Sequence, residues 1–564
     1  MNNDSRNRSI SGGVALAALP GLIFLFLFFF IPLLTILSGA FINEAGEISL
    51  LPLLASVRDE NLLRILGFTF LQAFLSSLIA LAMGLPGAYF IARCDFPGKK
   101  ILRSLSVVPF VIPPILVVLG FVTIFGNNGI INRFLMQLTG SGTPPLKILY
   151  SLKGILLAHG FYNFPVVLRI VASHWEAIPE KQEQAAQLLG AKRSAVFRTI
   201  TLPQLMPAVV SSMLLVFLFC FSSFAVVMVL GGGPKTTTIE VEIFRLARIN
   251  LDLQAAGRVA LIAACLTLLP LLLNFGTESR FTGIGASDRD HRIVRGRNPK
   301  VRLLGAVYGL AMVILVIGPL LGVVASGFLE VEGPLAAPRF SLRWFAGIFA
   351  VSGPDTFSIT AARSIAGSLL LSGLTLLITI PTATLFALAT VRSGGKRAKL
   401  FELTASLPMS ISTVILGSGY LAISVAYPML TSVPLFIAGA HSVIAFPFVY
   451  RSIVTALAKI DGSYRRAAIS LGARPAKAFA DIELPMLESS LFSAAAFAFA
   501  LSVGEMNATL TLSGGSFPTL PITIYRLIGS YQFHRASALG TVLIVLCAVA
   551  FLLLDRSTRK KKEM

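Results

Sequence analysis

Charge is scarce in this chain. Of 564 residues only 13 % are Asp, Glu, Lys or Arg, about half the share of a soluble globular protein, which leaves too little polar surface to cover a fold in water. Cysteine is nearly absent. The four thiols, Cys94, Cys220, Cys265 and Cys547, are far apart with no CxxC spacing, and three sit in apolar runs; this excludes a zinc ribbon or a dithiol redox site and reads as small core residues. The five histidines, His159, His174, His291, His441 and His534, show no HExxH or comparable ligand spacing, so no metal centre is expected. No convergent set of acids, bases or nucleophiles accompanies them, which argues against an embedded enzyme.

What the chain has in abundance is apolar length: 55 % hydrophobic residues and a mean hydropathy of +0.82. Runs near 14–38, 68–92, 102–126, 148–172, 205–230, 255–276, 303–328, 365–391, 403–425, 431–455, 487–512 and 536–554 are each long enough for a membrane helix. The expected fold is therefore all-α and polytopic, with about twelve transmembrane helices. The first run exceeds the apolar core of a signal peptide and reads as a retained anchor.

Basic residues outnumber acidic ones by 47 to 26, in short clusters between apolar runs rather than in an aromatic-interleaved basic domain. No nucleic-acid partner is expected. With the N-terminus inside, the inner segments hold 31 Lys and Arg and the outer segments 11, a split that follows the positive-inside rule. With the clusters Arg280 to Arg302 and Arg559-Lys560-Lys561-Lys562 the strongest on the inner side, the linker and both termini are expected to face the cytoplasm.

Sliding the chain against itself by 282 positions aligns His159 with His441, Pro165 with Pro447, Arg169 with Arg451, Gly190-Ala191 with Gly472-Ala473, and Gly232-Gly233 with Gly514-Gly515. Two homologous six-helix halves follow, and an even number of spans per half makes them parallel repeats. Before the fifth span of each half the inner loop reads alike: Gln184-Ala185-Ala186, Gly190 and Ile200-Thr201-Leu202-Pro203, then Arg466-Ala467-Ala468, Gly472 and Ile482-Glu483-Leu484-Pro485. Such a loop is a short helix, a glycine turn, a second short helix, and a proline that opens the next span. A single copy would also suit an amphipathic loop on the lipid surface. Two copies at one spacing favour a rigid knob for a partner's groove.

This pattern resembles the EAA motif of permease subunits of binding-protein-dependent ABC importers of type I. The resemblance implies a type I transmembrane fold with an anchor helix and outer loop (1–64), a first permease domain (65–275), a basic linker (276–302), a seventh helix and outer loop (303–362), a second permease domain (363–555) and a basic tail (556–564). It further implies two copies of an ABC ATPase subunit that bind ATP and Mg, an extracytoplasmic solute-binding protein, and no cofactor in this chain. The coupling residues it assigns are Gln184, Ala185, Ala186, Leu188, Leu189 and Gly190, with Arg466, Ala467, Ala468, Ile469, Leu471 and Gly472. Gln184 and Arg466 stand where the family has glutamate, which puts that residue's charge contact in question, although Glu183 lies one position away.

Leu230-Gly231-Gly232-Gly233-Pro234-Lys235-Thr236 is not a nucleotide loop, because Pro234 interrupts the Gly-Lys-[Ser/Thr] sequence that a P-loop requires; it reads as a turn after the fifth span. Polar residues inside spans are costly and mark a solute pathway or a structural pairing. Ser222 and Ser223 correspond by repeat to Gly504 and Glu505, with Asn507 following. Two readings of Glu505 stand, contact with a cationic solute or a structural ion pair, and His159 and His441 are assigned to packing or to the same pathway. Phe221-Ser222-Ser223-Phe224-Ala225, Thr237-Thr238-Ile239-Glu240 and Thr519-Leu520-Pro521 are similar to fused permeases of thiamine importers. Gly504-Glu505 with Asn507-Ala508-Thr509-Leu510 looks as much like fused iron(III) permeases. An ion-coupled secondary transporter is the alternative of another class.

Overall fold

A computed structural model describes residues 2–43, 46–105, 112–281, 299–330, 339–349, 357–432, 434–514 and 516–560. Most of the linker cluster and the last residues of the basic tail lie outside this set. Apart from one antiparallel pair, Leu329–Glu330 with Arg339–Phe340, and a single bridge between Ile42 and Ile48, the described structure is helical.

Each of the twelve expected runs has a helical counterpart. Among the described residues nine helices are long and apolar enough to cross a membrane: Val14–Phe41, Glu60–Arg93, Pro114–Thr139, Leu152–Ala177, Arg193–Phe221, Pro299–Gly327, Thr360–Arg392, Pro434–Leu457 and Phe533–Leu552. Two expected spans are bent pairs, Gly395–Ser410 with Thr413–Ala426 at 88° and Pro475–Met486 with Glu488–Val503 at 72°. The run at 255–276 is represented by the shorter apolar helix Leu253–Leu268. The third span starts later than its hydropathy implies, at Pro114, because tandem Pro113-Pro114 favours the first turn of a helix over its interior. The fifth ends earlier, at Phe221, where Ser222 and Ser223 interrupt it before a six-residue helix Ala225–Leu230.

The chain forms two compact units. One comprises Leu54–Glu242 and Ile262–Ser341, the other Met1–Leu53, Ile243–Leu261 and Leu342–Met564. Each unit therefore joins most of one repeat to the helix that precedes the other repeat. In the first unit, Tyr308 of Pro299–Gly327 donates to the Met83 carbonyl at 2.6 Å, and a Cβ on Gly120 would lie 2.8 Å from Pro319 Cβ, so these helices touch backbone to backbone. In the second, the first span carries a π-helical turn at Phe26–Phe30, and Tyr420 of Thr413–Ala426 donates to the Phe28 carbonyl there at 2.7 Å. Phe24 stacks on Phe446 with ring centroids 5.6 Å apart. Phe29, Phe386 and Tyr450 complete a buried aromatic cluster. Among the four cysteines only Cys265 is exposed, and none is in a disulfide.

Candidate functional site: paired hairpins and the polar joints behind the broken spans

Both repeated loops fold as helical hairpins. In the first, Pro179 precedes helix Glu180–Leu188, and Gly190 turns the chain at φ +88° into Arg193–Val196 and a π-helical segment, Phe197–Thr201, that leads into Leu202–Phe221. In the second, Asp461 caps helix Gly462–Ser470, Gly472 turns at φ +91°, and Pro475–Ala478 runs through a π-helical segment, Phe479–Glu483, into Leu484–Met486. The Ser463 amide and hydroxyl hold the Asp461 carboxyl below the usual carboxylate range. Gly190 N–H donates to Gln187 O and Ala191 N–H to Ala186 O, each at 3.0 Å; Gly472 to Ile469 O and Ala473 to Ala468 O repeat the pair at 3.0 Å. These are the two bonds of a Schellman turn, which needs the left-handed conformation at its glycine.

The expected coupling residues divide by exposure. Gln184, Ala185, Arg466 and Ala467 are exposed and Ala186 and Ala468 are half-buried. Leu188, Leu189 and Leu471 stand 89 %, 90 % and 89 % exposed at the tips, with Ile469 exposed beside Leu471. Leu188, Leu189 and Leu471 thus leave an uncovered apolar tip on each hairpin.

Beneath the tips, Glu183, noted beside the motif, meets side chains that motif reading missed. Arg93, the last residue of Glu60–Arg93, is buried and places Nη1 3.0 Å from Glu180 Oε1 and Nη2 3.1 Å from Glu183 Oε1. Thr201 Oγ1 donates to that same Glu183 oxygen at 2.9 Å. In the second repeat Arg392, the last residue of Phe357–Arg392, places Nη2 2.6 Å from Glu483 Oε2. The signal available in the sequence was an arginine closing a long apolar run in each half.

The pathway candidates fall into two related clusters. His159 lies with Nδ1 3.0 Å from Ser76 Oγ and Nε2 2.8 Å from Ser223 Oγ, at the break that ends Leu202–Phe221. His441 lies with Nδ1 2.8 Å from Ser502 Oγ and Nε2 2.7 Å from Thr509 Oγ1, while Glu505 Oε2 is 3.5 Å from the same Nε2. Ser223 and Glu505 are repeat mates, so the same pair of positions meets in both halves. Ser76 and Thr375 occupy the same place relative to the span-ending arginines, and Thr375 Oγ1 lies 3.1 Å from Ser502 Oγ. The Glu505 carboxylate accepts from Ala508 N at 2.8 Å, Thr509 N at 3.1 Å and Thr509 Oγ1 at 2.6 Å. It thus satisfies the free amides where Asn507–Ser513 restarts after the break. Asn507 does not join the cluster; its amide donates to Thr413 Oγ1 at 3.0 Å, at the start of Thr413–Ala426. Ser222 caps the end of its helix through its backbone N–H.

The Gly231 to Thr236 segment is a turn with a 3-10 step at Pro234–Thr236, closed by the Thr236 hydroxyl on the Gly231 carbonyl. It does not open a phosphate-binding helix. Among the described residues, no three His, Cys, Asp or Glu side chains gather as a metal site.

Two repeats, each a set of membrane helices with a glycine-turned hairpin before its fifth span, define a transport protein built as paired halves. The family described as the binding-protein-dependent transport system inner membrane component matches residues 84–278 and 356–563, once per half, and the chain belongs to it. It is a permease family rather than an enzyme family. The chain is 28 % identical over 512 residues to the thiamine transport system permease protein of Brucella abortus (strain 2308), covering 90 % of this chain and 89 % of that protein. The thiamine transport system permease protein of Escherichia coli (strain K12) is 27 % identical over 508 residues, 88 % of this chain and 90 % of its own length. The sulfate transport system permease protein of Salmonella typhimurium matches over 277 residues at 29 % identity, 49 % of this chain and 96 % of that one. This multipass inner-membrane chain therefore carries two permease domains, and its likeness to the thiamine permeases runs through both.

Proposed function

We propose that this protein is the transmembrane subunit of an ATP-driven thiamine importer. The observation that carries the mechanism is the pair of Schellman-turned hairpins with exposed Leu188, Leu189 and Leu471. Two copies of an ATPase subunit, holding ATP and Mg, seat one hairpin each, and an extracytoplasmic binding protein delivers thiamine. The hairpins and both termini face the cytoplasm, a reading supported by the uneven split of Lys and Arg between alternate loops. Closure of the ATPase pair on ATP draws the hairpins together and turns the pathway outward; hydrolysis resets it. The substrate assignment rests on likeness along nine-tenths of the chain to thiamine permeases.

The test is reconstitution of the chain with its ATPase and binding protein in ATP-loaded proteoliposomes, with labelled thiamine outside. Accumulation that needs ATP and is displaced by unlabelled thiamine but not by iron(III) supports the proposal. Uptake that persists without the ATPase and follows an ion gradient supports a secondary transporter instead. Displacement by iron(III) alone supports the iron permease.

A further inference from the structure

The two hairpins are fastened to their units by the same cation and by different carboxylates. In the first repeat the buried guanidinium of Arg93 meets Glu183 of the hairpin's first helix, with Glu180 beside it, and Thr201 at the root of the next span donates to Glu183. In the second repeat the guanidinium of Arg392 meets Glu483. In the 282-residue register Glu483 is the counterpart of Thr201, and Arg465 that of Glu183. The carboxylate has moved from the first limb of the hairpin to the second, and a cation now occupies the vacated position, close enough to act electrostatically on Arg392. Arg392 also stands 5.9 Å over the Phe479 ring, which comes from the second limb. In both repeats an anionic oxygen sits on an arginine at the joint where a span ends and the hairpin meets the next span.

We propose that Arg93 and Arg392 are positioning residues that clamp each hairpin to the end of a membrane span, so that displacement of the hairpin moves the span with it, and that the clamp accepts its carboxylate from either limb. The buried guanidinium of Arg93 cannot release its counter-ion without leaving an uncompensated charge; Arg392 is half-buried, and in both the planar donor array holds orientation as well as distance. The tips lack cover of their own, since Leu188, Leu189 and Leu471 are exposed; in the first repeat an exposed bond from Gln204 to Gln182 at 3.0 Å also ties hairpin to span, and the clamp is the charged tie found in both repeats. The π-helical segments Phe197–Thr201 and Phe479–Glu483 end on Thr201 and Glu483, placing the second-limb side chain on the clamp carboxylate Glu183 in the first repeat and on Arg392 itself in the second.

This inference rests on the coupling role of the hairpins, and the experiment separates the two. The full chain is reconstituted with its ATPase and binding protein, and three quantities are read: ATPase co-purification, ATP hydrolysed, and thiamine accumulated per ATP. Glu483→Thr is expected to retain the ATPase and its hydrolysis while thiamine per ATP falls at least tenfold. Adding Arg465→Glu, which restores the first-repeat arrangement, is expected to bring the ratio back to within threefold of the parent. In the first repeat, Glu180→Gln with Glu183→Thr uncouples, and Thr201→Glu in that background recouples. Should the depleted variants fail to fold, the relocated carboxylates must restore the folded, ATPase-bound complex. An unchanged ratio in Glu483→Thr, or relocated carboxylates that rescue neither folding nor coupling, overturns the clamp. Absence of ATPase from the unaltered chain overturns the coupling role itself.

Discussion

The glycine turns give the most quantitative prediction. Gly190 and Gly472 sit at φ +88° and +91°, and a Cβ built on either meets nothing within 4 Å. Replacement therefore costs conformation and not collision. A left-handed backbone costs an ordinary L-residue about 1–2 kcal/mol, a β-branched one more, and asparagine less. The hairpins are separate elements, so the two penalties add to on the order of 2–4 kcal/mol. Each 1.4 kcal/mol is about a tenfold change in population, so one alanine lowers the docking-competent hairpin roughly 5- to 30-fold. The assay is ATP-dependent thiamine uptake by the reconstituted complex, with ATPase affinity for the permease measured in parallel. Asparagine at both sites should stay near the parent, alanine should weaken both readouts, and valine should weaken them most. Valine as good as asparagine, in a complex of unchanged yield, would refute the turn as the source of docking geometry.

Further outcomes follow from the same geometry. Leu188→Asp with Leu189→Asp, or Leu471→Asp, should leave thermal stability within about 0.5 kcal/mol, because the side chains are exposed, yet remove the ATPase from the purified complex. Glu505→Gln keeps one acceptor but turns an NH2 group toward backbone donors; at about 1–3 kcal/mol per unsatisfied buried group, it should lower the unfolding temperature while leaving the apparent KM for thiamine unchanged. A shifted KM with unchanged stability would instead make Glu505 a solute contact. Expression of residues 1–298 alone should yield an unstable product, since Phe24 and Phe29 of the first span bury against helices of the second repeat, and co-expression with 299–564 should restore it, measured as recovery of the ATPase-bound complex in mild detergent.

Much of this architecture is visible in a single self-comparison. The 282-residue register pairs Gly190 with Gly472, His159 with His441 and Ser223 with Glu505, and each pair occupies equivalent geometry. The clamp arginines escape that register because the loops after the early spans differ in length: Arg93 corresponds in structure to Arg392, whereas 282 positions on from Arg93 stands Thr375. For the same reason the kinship of Ser76 with Thr375 appears only once the spans are aligned on Arg93 and Arg392, with Ser76 on His159 itself and Thr375 on Ser502, which meets His441. Bends are equally hard to read from hydropathy. The run at 403–425 is apolar across Leu407–Ser410, yet Pro408 and the Ser412 cap restart the helix at 88°, since lipid rewards apolar side chains whatever the direction of the axis. At the motif position both repeats show a loss, Gln184 and Arg466 in place of glutamate; Glu183, one position away, supplies the carboxylate in the first repeat, and Glu483, on the other limb of the hairpin, supplies it in the second.

The measurement that bears most directly on the central claim is photocross-linking from the hairpin tips. A photoreactive residue at Leu189 or Leu471, in a Cys265→Ser chain reconstituted with its ATPase and binding protein, should form adducts with the ATPase subunit from both positions, with yields that change on addition of ATP and Mg. Adducts with lipid alone, from a complex that still takes up thiamine, would contradict the assignment of these hairpins as the coupling elements.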